Sequence, residues 1–252
     1  MTSATRIPVC PGCWGRVRPL ELVCACALCQ RPLSPAPQLA DREPLCGLCR
    51  RGLYHFGRLR SFGAFDGALR DLLHLFKYNR VTPLARPLAR LLAGGVHQEP
   101  ALRQVDAVVP VPLHPRRERA RGYNQAELLA RELARELALP LEPSLLARIR
   151  DTASQTGLTP RQRRENVRGA FAVPAPSVRT GRPAASQLKG KRILLIDDVA
   201  TTGATLSACA RTLKRAGAAA VAAATVARVV EWTPPLSGEG LARADDDAGA
   251  DP

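Results

Sequence analysis

Two aspartates follow directly after an apolar run in the stretch RILLIDDVATTGAT, residues 192–205. Asp197 and Asp198 are expected to be ionised at neutral pH, where neighbouring carboxylates accept hydrogen bonds from vicinal hydroxyls or hold the waters of Mg²⁺. Three threonines then surround Gly203 at the predicted start of a helix, where free amides bind phosphate and glycine permits close approach. This order predicts hydrogen-bond acceptors for the hydroxyl end of a ribose 5-phosphate and hydrogen-bond donors for its phosphate end. An ordinary capped helix entry is the alternative interpretation.

Seven of the eight cysteines lie in the first 49 residues. Four of them form the pattern C-x2-C-x16-C-x2-C, made by Cys26, Cys29, Cys46 and Cys49. Four thiolates at this spacing can surround Zn²⁺ tetrahedrally and leave no open coordination position. The pattern therefore predicts a small Cys-rich zinc-ribbon domain over residues 1–56, with a structural rather than a catalytic metal.

Three further cysteines, Cys10, Cys13 and Cys24, resemble an incomplete second metal site. Either a fourth ligand comes from elsewhere, with His55 as a candidate, or this half has lost its metal. In a competing pairing, Cys10 and Cys13 bind metal together with the first Cys pair of the pattern above. Both Cys10 and Cys13 are therefore candidate metal ligands.

The elements that must position Asp197 and Asp198 are predicted to be strands with a helix between the last two. Short β-branched or apolar runs predict strands over 105–111, 192–197 and 219–227, and the intervening apolar spacing predicts a helix from about 203 to 216. The run ILLI lacks polar alternation, as in a strand covered on both faces. An α/β fold with an open, mostly parallel sheet follows, and its ligands are expected outside the carboxyl ends of the strands.

The chain carries 37 Lys and Arg against 22 Asp and Glu, a net charge of +15, and arginines cluster between positions 116 and 168. This excess favours a polyanionic partner, although an arginine-rich composition alone would also produce it. No secretion signal or membrane-spanning run is evident, so we expect a cytoplasmic protein without membrane insertion. Residues 57–232 are predicted to form the main domain, and the acidic tail 233–252 to be disordered.

Three stretches behind the cysteines occur in an order that resembles a known family: VPVPLHPRRERARGYNQAELLA, DTASQTGLTPRQRRENVRGAF and ILLIDDVATTGAT. They resemble the type I phosphoribosyltransferases and, more closely, the ComF family, which is linked to competence and DNA uptake. The resemblance spans about residues 8 to 232. It implies a type I phosphoribosyltransferase-like sheet with helices on both faces, and phosphoribosyl pyrophosphate (PRPP) with Mg²⁺ as the ligand.

The resemblance also assigns roles to individual residues. It implies that Asp197 and Asp198 hold the ribose hydroxyls of PRPP, and that the pyrophosphate meets an arginine-rich loop. Residues 150–168 also resemble a stretch of the family, and their Gly157, Pro160 and many charges predict a mobile loop that closes over a ligand. The residues implied to wrap the 5-phosphate are Ala200, Thr201, Thr202, Gly203, Ala204 and Thr205, and those offered to the pyrophosphate are Arg116, Arg117 and Arg121.

Three functions remain open from the sequence. The first is a phosphoribosyltransferase, an enzyme that moves a ribose 5-phosphate group from PRPP to an acceptor. In the second, the basic zinc ribbon binds single-stranded DNA or RNA and the partners include competence-machinery proteins. The third is a sensor that binds PRPP without turnover.

Overall fold

The computed structural model describes residues 9–33, 43–152, 159–175 and 184–230. The predicted disordered tail lies outside these ranges. The strands are β1 Leu59–Ala64, β2 Ala107–Pro110, β3 Ala147–Arg148, β4 Phe171–Ala172, β5 Arg192–Ala200 and β6 Ala220–Arg228. The helices are α1 Pro11–Trp14, α2 Gly47–Arg50, α3 Gly67–Tyr78, α4 Ala85–Gln98, α5 Pro100–Arg103, α6 Pro115–Arg121, α7 Gln125–Glu136, α8 Pro160–Asn166, α9 Ala184–Leu188 and α10 Ala204–Arg215.

Four strands form one parallel sheet in the order β1, β6, β5, β2. The predicted strands are confirmed, but β5 continues three residues beyond the expected end at 197 because its ladder with β6 extends to the pairing of Ala200 with Arg228. Since all four strands run the same way, their carboxyl ends meet at one edge of the sheet. The unit β5, α10, β6 is the predicted strand, helix, strand crossover.

Helices cover both faces of the sheet, as predicted. Alternate residues of β5 point to opposite faces, so Leu195 belongs to the same buried cluster as Leu213 of α10, whereas Ile196 belongs to the cluster that contains Leu73 of α3 and Leu129 of α7. Both apolar clusters contain side chains that are completely buried. The uninterrupted apolar run of β5 is therefore explained by burial on two sides.

The cysteine segment packs against the outer strand β1. The carbonyl of Leu28 accepts a hydrogen bond of 2.7 Å from the amide of Leu59. Gln30 accepts a hydrogen bond of 2.6 Å from the amide of Ser61 through its side-chain oxygen. The four cysteines of the ribbon pattern belong to the same buried cluster as Leu59, so the segment continues the core of the sheet domain.

The arginine-rich stretch after β2 is helical rather than an open loop. It forms α6, in which Pro115 takes the first position and the His114 side chain accepts a hydrogen bond of 3.3 Å from the amide of Arg116. Proline at a first helical position and a side-chain cap both favour a helix start. The helix ends at Gly122, whose φ is +91°.

The predicted mobile loop at 150–168 contains helix α8, which starts with a capping box made by Thr159 and Gln162. Residues 153–158 of that segment lie outside the described residues. Among the helices within the described ranges, none combines the length and the apolar character that a membrane crossing requires.

Candidate functional site: a charged cleft and a four-cysteine cluster

A cleft of about 580 Å³ opens at the carboxyl ends of the strands. It is bordered by the end of β5, the loop into α10, and helices α3 and α6. The sequence-predicted residues that line it are Asp197, Asp198, Ala200, Thr201, Gly203, Ala204, Thr205, Arg117 and Arg121. Thr202 and Arg116 are not part of its lining. The fold thus brings most of the predicted ligand residues into one cavity.

The two aspartates lie on opposite sides of β5, because the strand continues through both of them. Asp198 shares the face of Ile196, and its side chain is only 5% exposed. Its carboxylate forms an ion pair with Lys77 of α3, with 2.9 Å between Oδ2 and Nζ. Asp197 lies on the α10 side, where its Oδ1 accepts a hydrogen bond of 2.9 Å from the amide of Asp198.

The electrostatics of this pair differ from the expectation that both acids are ionised. Burial, together with the neighbouring Asp198 charge, raises the pKa of Asp197 to about 8, against a smaller opposing effect of Lys77. Burial alone would lower the pKa of Lys77, but the attraction and hydrogen bond from Asp198 outweigh it and raise this pKa. Asp197 is therefore protonated more readily than an ordinary aspartate, and it lies near the positive charge of Lys77.

The loop between β5 and α10 has the shape of a phosphate cradle. Gly203 is the residue before α10 and has a φ of +78°, a left-handed conformation that favours glycine. The side-chain oxygen of Thr202 accepts from the amide of Ala204 at 3.4 Å, and Thr202 does not line the cleft. Ala204, Thr205 and Leu206 in the first turn of the 12-residue helix α10 line the cavity, and amides at a helix start can donate to a phosphate.

The arginines of α6 divide between the cleft and the surface. Arg117 is held by the backbone carbonyl of Thr152 and lies 3.5 Å from the carboxylate of Asp151. Arg121 is held by the side chain of Gln125 and lies over the Tyr78 ring. The side chain of Arg116 is 81% exposed, so its predicted contact with pyrophosphate is not supported by its position.

Three cleft cations were not assigned from the sequence. Lys77 could have been found, because it follows Leu73 by four positions and so places a charge on the buried face of a helix. Arg148, in the two-residue strand β3, shows no such periodic signal. Burial and the nearby Arg117 charge lower the pKa of Arg148, whose guanidinium lies 5.5 Å from the centre of the Phe171 ring. Arg163 of α8 also lines the cleft.

The four cysteines of the ribbon pattern form a buried cluster in which all Sγ atoms lie within 4.8 Å of one another. The Sγ atoms of Cys29 and Cys46 are 3.7 Å apart. Four sulfurs at about 2.3 Å from a tetrahedral Zn²⁺ would be separated by about 3.8 Å, so the cluster is positioned to bind this metal.

The pKa values of the thiols in the cluster also favour the binding of a cation. Hydrogen bonds, chiefly from Cys29, lower the pKa of Cys26 to about 4, against the opposing effect of burial. The hydrogen bond with Cys26, burial and the thiolate charge raise the pKa of Cys29 far above its usual range. One thiolate thus suppresses ionisation of a neighbour, and a divalent cation would remove that penalty.

Cys10 and Cys13 stand apart from this cluster. Their Sγ atoms are 3.4 Å apart, and Cys10 is exposed. No other described residue joins them in a group of three or more ligand atoms, and His55 contributes to none. The competing pairing with Cys26 and Cys29 is therefore wrong, since those two are grouped with the later cysteines. Metal binding by Cys10 and Cys13 stays a prediction.

Known proteins resemble this chain over most of its length. A family model described as "Phosphoribosyl transferase domain" matches residues 124–238. The DNA utilization protein YhgH of Salmonella typhimurium is 35% identical over 84% of this chain and 94% of its own length. Competence protein F of Haemophilus influenzae is 30% identical over 76% of this chain and 85% of its own length. The chain belongs to the ComF family.

A shorter similarity links this ComF-family protein to an enzyme. Over 39 residues the chain is 59% identical to the adenine phosphoribosyltransferase of Mycobacterium avium. The matched stretch covers 16% of this chain and 22% of that enzyme. Family membership and the observed sheet agree on a phosphoribosyltransferase fold with an N-terminal four-cysteine cluster.

Proposed function

We propose that this ComF-family protein binds PRPP together with Mg²⁺ in the charged cleft and transfers its ribose 5-phosphate group to an acceptor. The observation that carries the proposal is the buried Asp198, held by Lys77, beside a loop whose glycine and helix start suit a phosphate. An acid next to a phosphate cradle matches the two ends of one ribose 5-phosphate.

Each part of the cleft has a role in this proposal. Asp197 and Asp198 accept hydrogen bonds from the ribose hydroxyls, and the amides at the start of α10 receive the 5-phosphate. Arg117 and Arg121 face the pyrophosphate, since guanidinium groups match phosphate oxygens bidentately. The carboxylate oxygens suit Mg²⁺, which when bound with the ligand neutralises charge on the departing pyrophosphate.

The proposed reaction needs no covalent intermediate on the protein. The bond between C1 of the ribose and the pyrophosphate oxygen breaks, the bonding electrons leave with the pyrophosphate, and the acceptor forms the new bond to C1. Arg117, Arg121 and Arg148 line the cleft and stabilise the negative charge of the leaving group. Positioning and charge stabilisation then supply the rate acceleration.

Titration of Mg²⁺ and PRPP into the wild type and an Asp197→Asn/Asp198→Asn variant tests the proposal. We expect binding in the wild type, followed by pyrophosphate release with a suitable acceptor, and a loss of both in the variant. Asp106→Asn is the matched control, because Asp106 pairs with Arg192 at the amino ends of β2 and β5. A wild type without affinity for PRPP would refute the proposal, and binding without release would favour the sensor.

The names of the relatives extend the proposal to a cellular role. We infer that the protein acts in the cytoplasm in the uptake or processing of DNA, together with components of the competence machinery. The 30% and 35% identities to Competence protein F and protein YhgH support this role. Failure of a deletion strain to show any change in DNA uptake or DNA utilisation would contradict it.

Single-stranded nucleic acid is a second candidate ligand, and a separate groove of about 300 Å³ favours it. Arg164, Arg168 and Arg211 line this groove beside the apolar Leu53. Within the described part of the chain, none of these arginines has an acidic partner, whereas Glu165 is paired with Arg161. Burial lowers the pKa of His55 at the same groove, and the charges of Arg211 and nearby basic residues lower it further.

Fluorescence anisotropy with a labelled oligothymidylate tests this candidate. Arg168→Ala/Arg211→Ala should weaken binding and reduce its dependence on salt, because each lost phosphate contact removes released counterions. Arg131→Ala/Arg135→Ala is the matched control, since it removes the same charge from α7, where both arginines are paired with glutamates. Equal effects of the two double variants would leave only unspecific attraction by the net charge.

A further inference from the structure

Three consecutive residues after the ribbon cysteines, Tyr54, His55 and Phe56, contact the phosphate loop (residues 200–205) or the first turn of α10. The Tyr54 hydroxyl donates a hydrogen bond of 2.5 Å to the backbone carbonyl of Thr202. The amide of His55 donates to the hydroxyl of Ser207 in the first turn of α10, at 3.2 Å. Ser207 is buried, so its hydroxyl has little access to alternative partners in water. The segment that carries the thiol cluster therefore reaches both the loop and the helix start.

Two aromatic rings support the loop at its glycine. Tyr54 and Phe56 are stacked, with 5.0 Å between their centres and 19° between their planes. A Cβ atom at Gly203 would lie 3.5 Å from each ring, so the rings pack directly against this glycine. Neither ring lines the cleft. They fill the space on the opposite side of the loop and keep Gly203 in its left-handed conformation.

A second connection runs through the end of β6. Arg228 is buried, and its guanidinium donates a hydrogen bond of 2.6 Å to the carbonyl of Cys29. Its backbone is paired with Ala200, the first residue of the phosphate loop. The amide of Val229 donates to the carbonyl of Ala200 at 2.9 Å. Both the beginning and the middle of the loop are thus held by contacts that lead to the thiol cluster.

We propose that Tyr54 is a positioning residue that, with Phe56 and Arg228, fixes residues 200–205 in the shape that receives the 5-phosphate. The four-cysteine segment is then part of the ligand site and not only a stabilising attachment. This inference rests on the proposed function for the identity of the ligand. It predicts that damage to the ribbon weakens binding of the 5-phosphate end of the ligand. Binding of the pyrophosphate end, which faces Arg117 and Arg121, should stay unchanged.

Tyr54→Phe tests the inference, because it removes the hydroxyl and keeps the ring. Tyr123→Phe is the matched control, since the Tyr123 hydroxyl also donates to a backbone carbonyl, that of Phe76, outside the loop. Hydrogen exchange of the peptide covering residues 199–207 should accelerate in Tyr54→Phe and stay unchanged in Tyr123→Phe. Affinity for ribose 5-phosphate should fall about fivefold, the equivalent of one ordinary hydrogen bond, and affinity for inorganic pyrophosphate should stay unchanged.

Melting temperature and zinc content establish that each variant is folded. Phe56→Leu is a second variant, which removes the ring stack and keeps the Tyr54 hydroxyl. We expect faster loop exchange in that variant as well. Unchanged loop exchange in Tyr54→Phe would overturn the inference, and so would an equal loss of affinity for both ligands. A wild type that binds no ribose 5-phosphate would refute only the proposed function, because the exchange measurement needs no ligand.

Discussion

The thiol cluster and the charged cleft are two groups of polar side chains with opposite designs. In the cluster, four identical ligands are buried and lie within 4.8 Å of one another. In the cleft, acids, a lysine and several arginines are spread over about 580 Å³ that is open to water. The cluster is positioned to share a single cation, whereas the cleft balances opposite charges and keeps room for a ligand.

This difference predicts that the two sites tolerate substitutions differently. A tetrahedral metal site has no spare ligand, so each cysteine is required for both metal and folding. The cleft already contains partners such as Lys77 for Asp198, so its charges remain compensated without a ligand. We therefore expect changes in the cluster to act on stability first and changes in the cleft on binding first.

Cys46→Ser should have the largest effect. The loss of one thiolate from a closed cluster should release the zinc and lower the free energy of unfolding by several kcal/mol, since structural metal binding contributes directly to folding. Metal analysis and thermal unfolding measure this. Cys10→Ser is the control and should retain the metal, because Cys10 lies outside the cluster. Loss of metal in both variants would contradict the separation of the two cysteine groups.

Lys77→Met should have the next largest effect, because it leaves the Asp198 carboxylate without its cation. Removal of one partner from a buried ion pair costs about 3–5 kcal/mol, and we expect the lower end because the cleft admits water. Urea unfolding measures the cost, and Lys77→Met/Asp198→Asn should recover part of it. Arg192→Met at the exposed pair with Asp106 should change little. If the changes in unfolding free energy of Lys77→Met and Asp198→Asn add up to that of the double variant, Lys77 and Asp198 are not coupled.

Gly203→Ala should lower the free energy of unfolding by about 1–2 kcal/mol, because a Cβ atom is strained at a φ of +78°. We also expect weaker binding of ribose 5-phosphate. Gly94→Ala in the exposed part of α4 is the control, where a Cβ has open space and alanine should stabilise the helix by up to about 1 kcal/mol. A melting temperature that shifted in the same direction for both variants would argue against strain at Gly203.

The smallest expected effect is on the pH dependence of stability. The pKa of Asp197 is raised to about 8, so the native state holds a proton that the unfolded state has released. Stability conferred by this proton is present at low pH and is lost as pH rises towards 8. Relative to Asp197→Asn, the free energy of unfolding of the wild type should fall as the pH rises from 5 to 8. Parallel stability curves for the two proteins would contradict the raised pKa.

Much of the fold could be predicted from local patterns. The apolar run of β5, the following glycine turn and the periodicity of α10 each reflect neighbours along the chain, so the parallel α/β sheet was accessible. The helical state of α6 could not be predicted from apolar periodicity, because four of its seven residues are arginines and only Pro115 and Glu118 favour a helix start. The paired spacing of the ribbon cysteines likewise identified the cluster that the structure brings together.

The sequence by itself determined which residues follow a strand and which thiols come in pairs, because both depend on separations of a few residues. Only the tertiary structure decided that Asp198 faces Lys77, that Arg148 enters the cleft, and that Tyr54 supports the loop before α10. Those contacts join elements up to 148 residues apart. The packing of helices and the cysteine segment around the sheet creates them, and no periodicity along the chain records that packing.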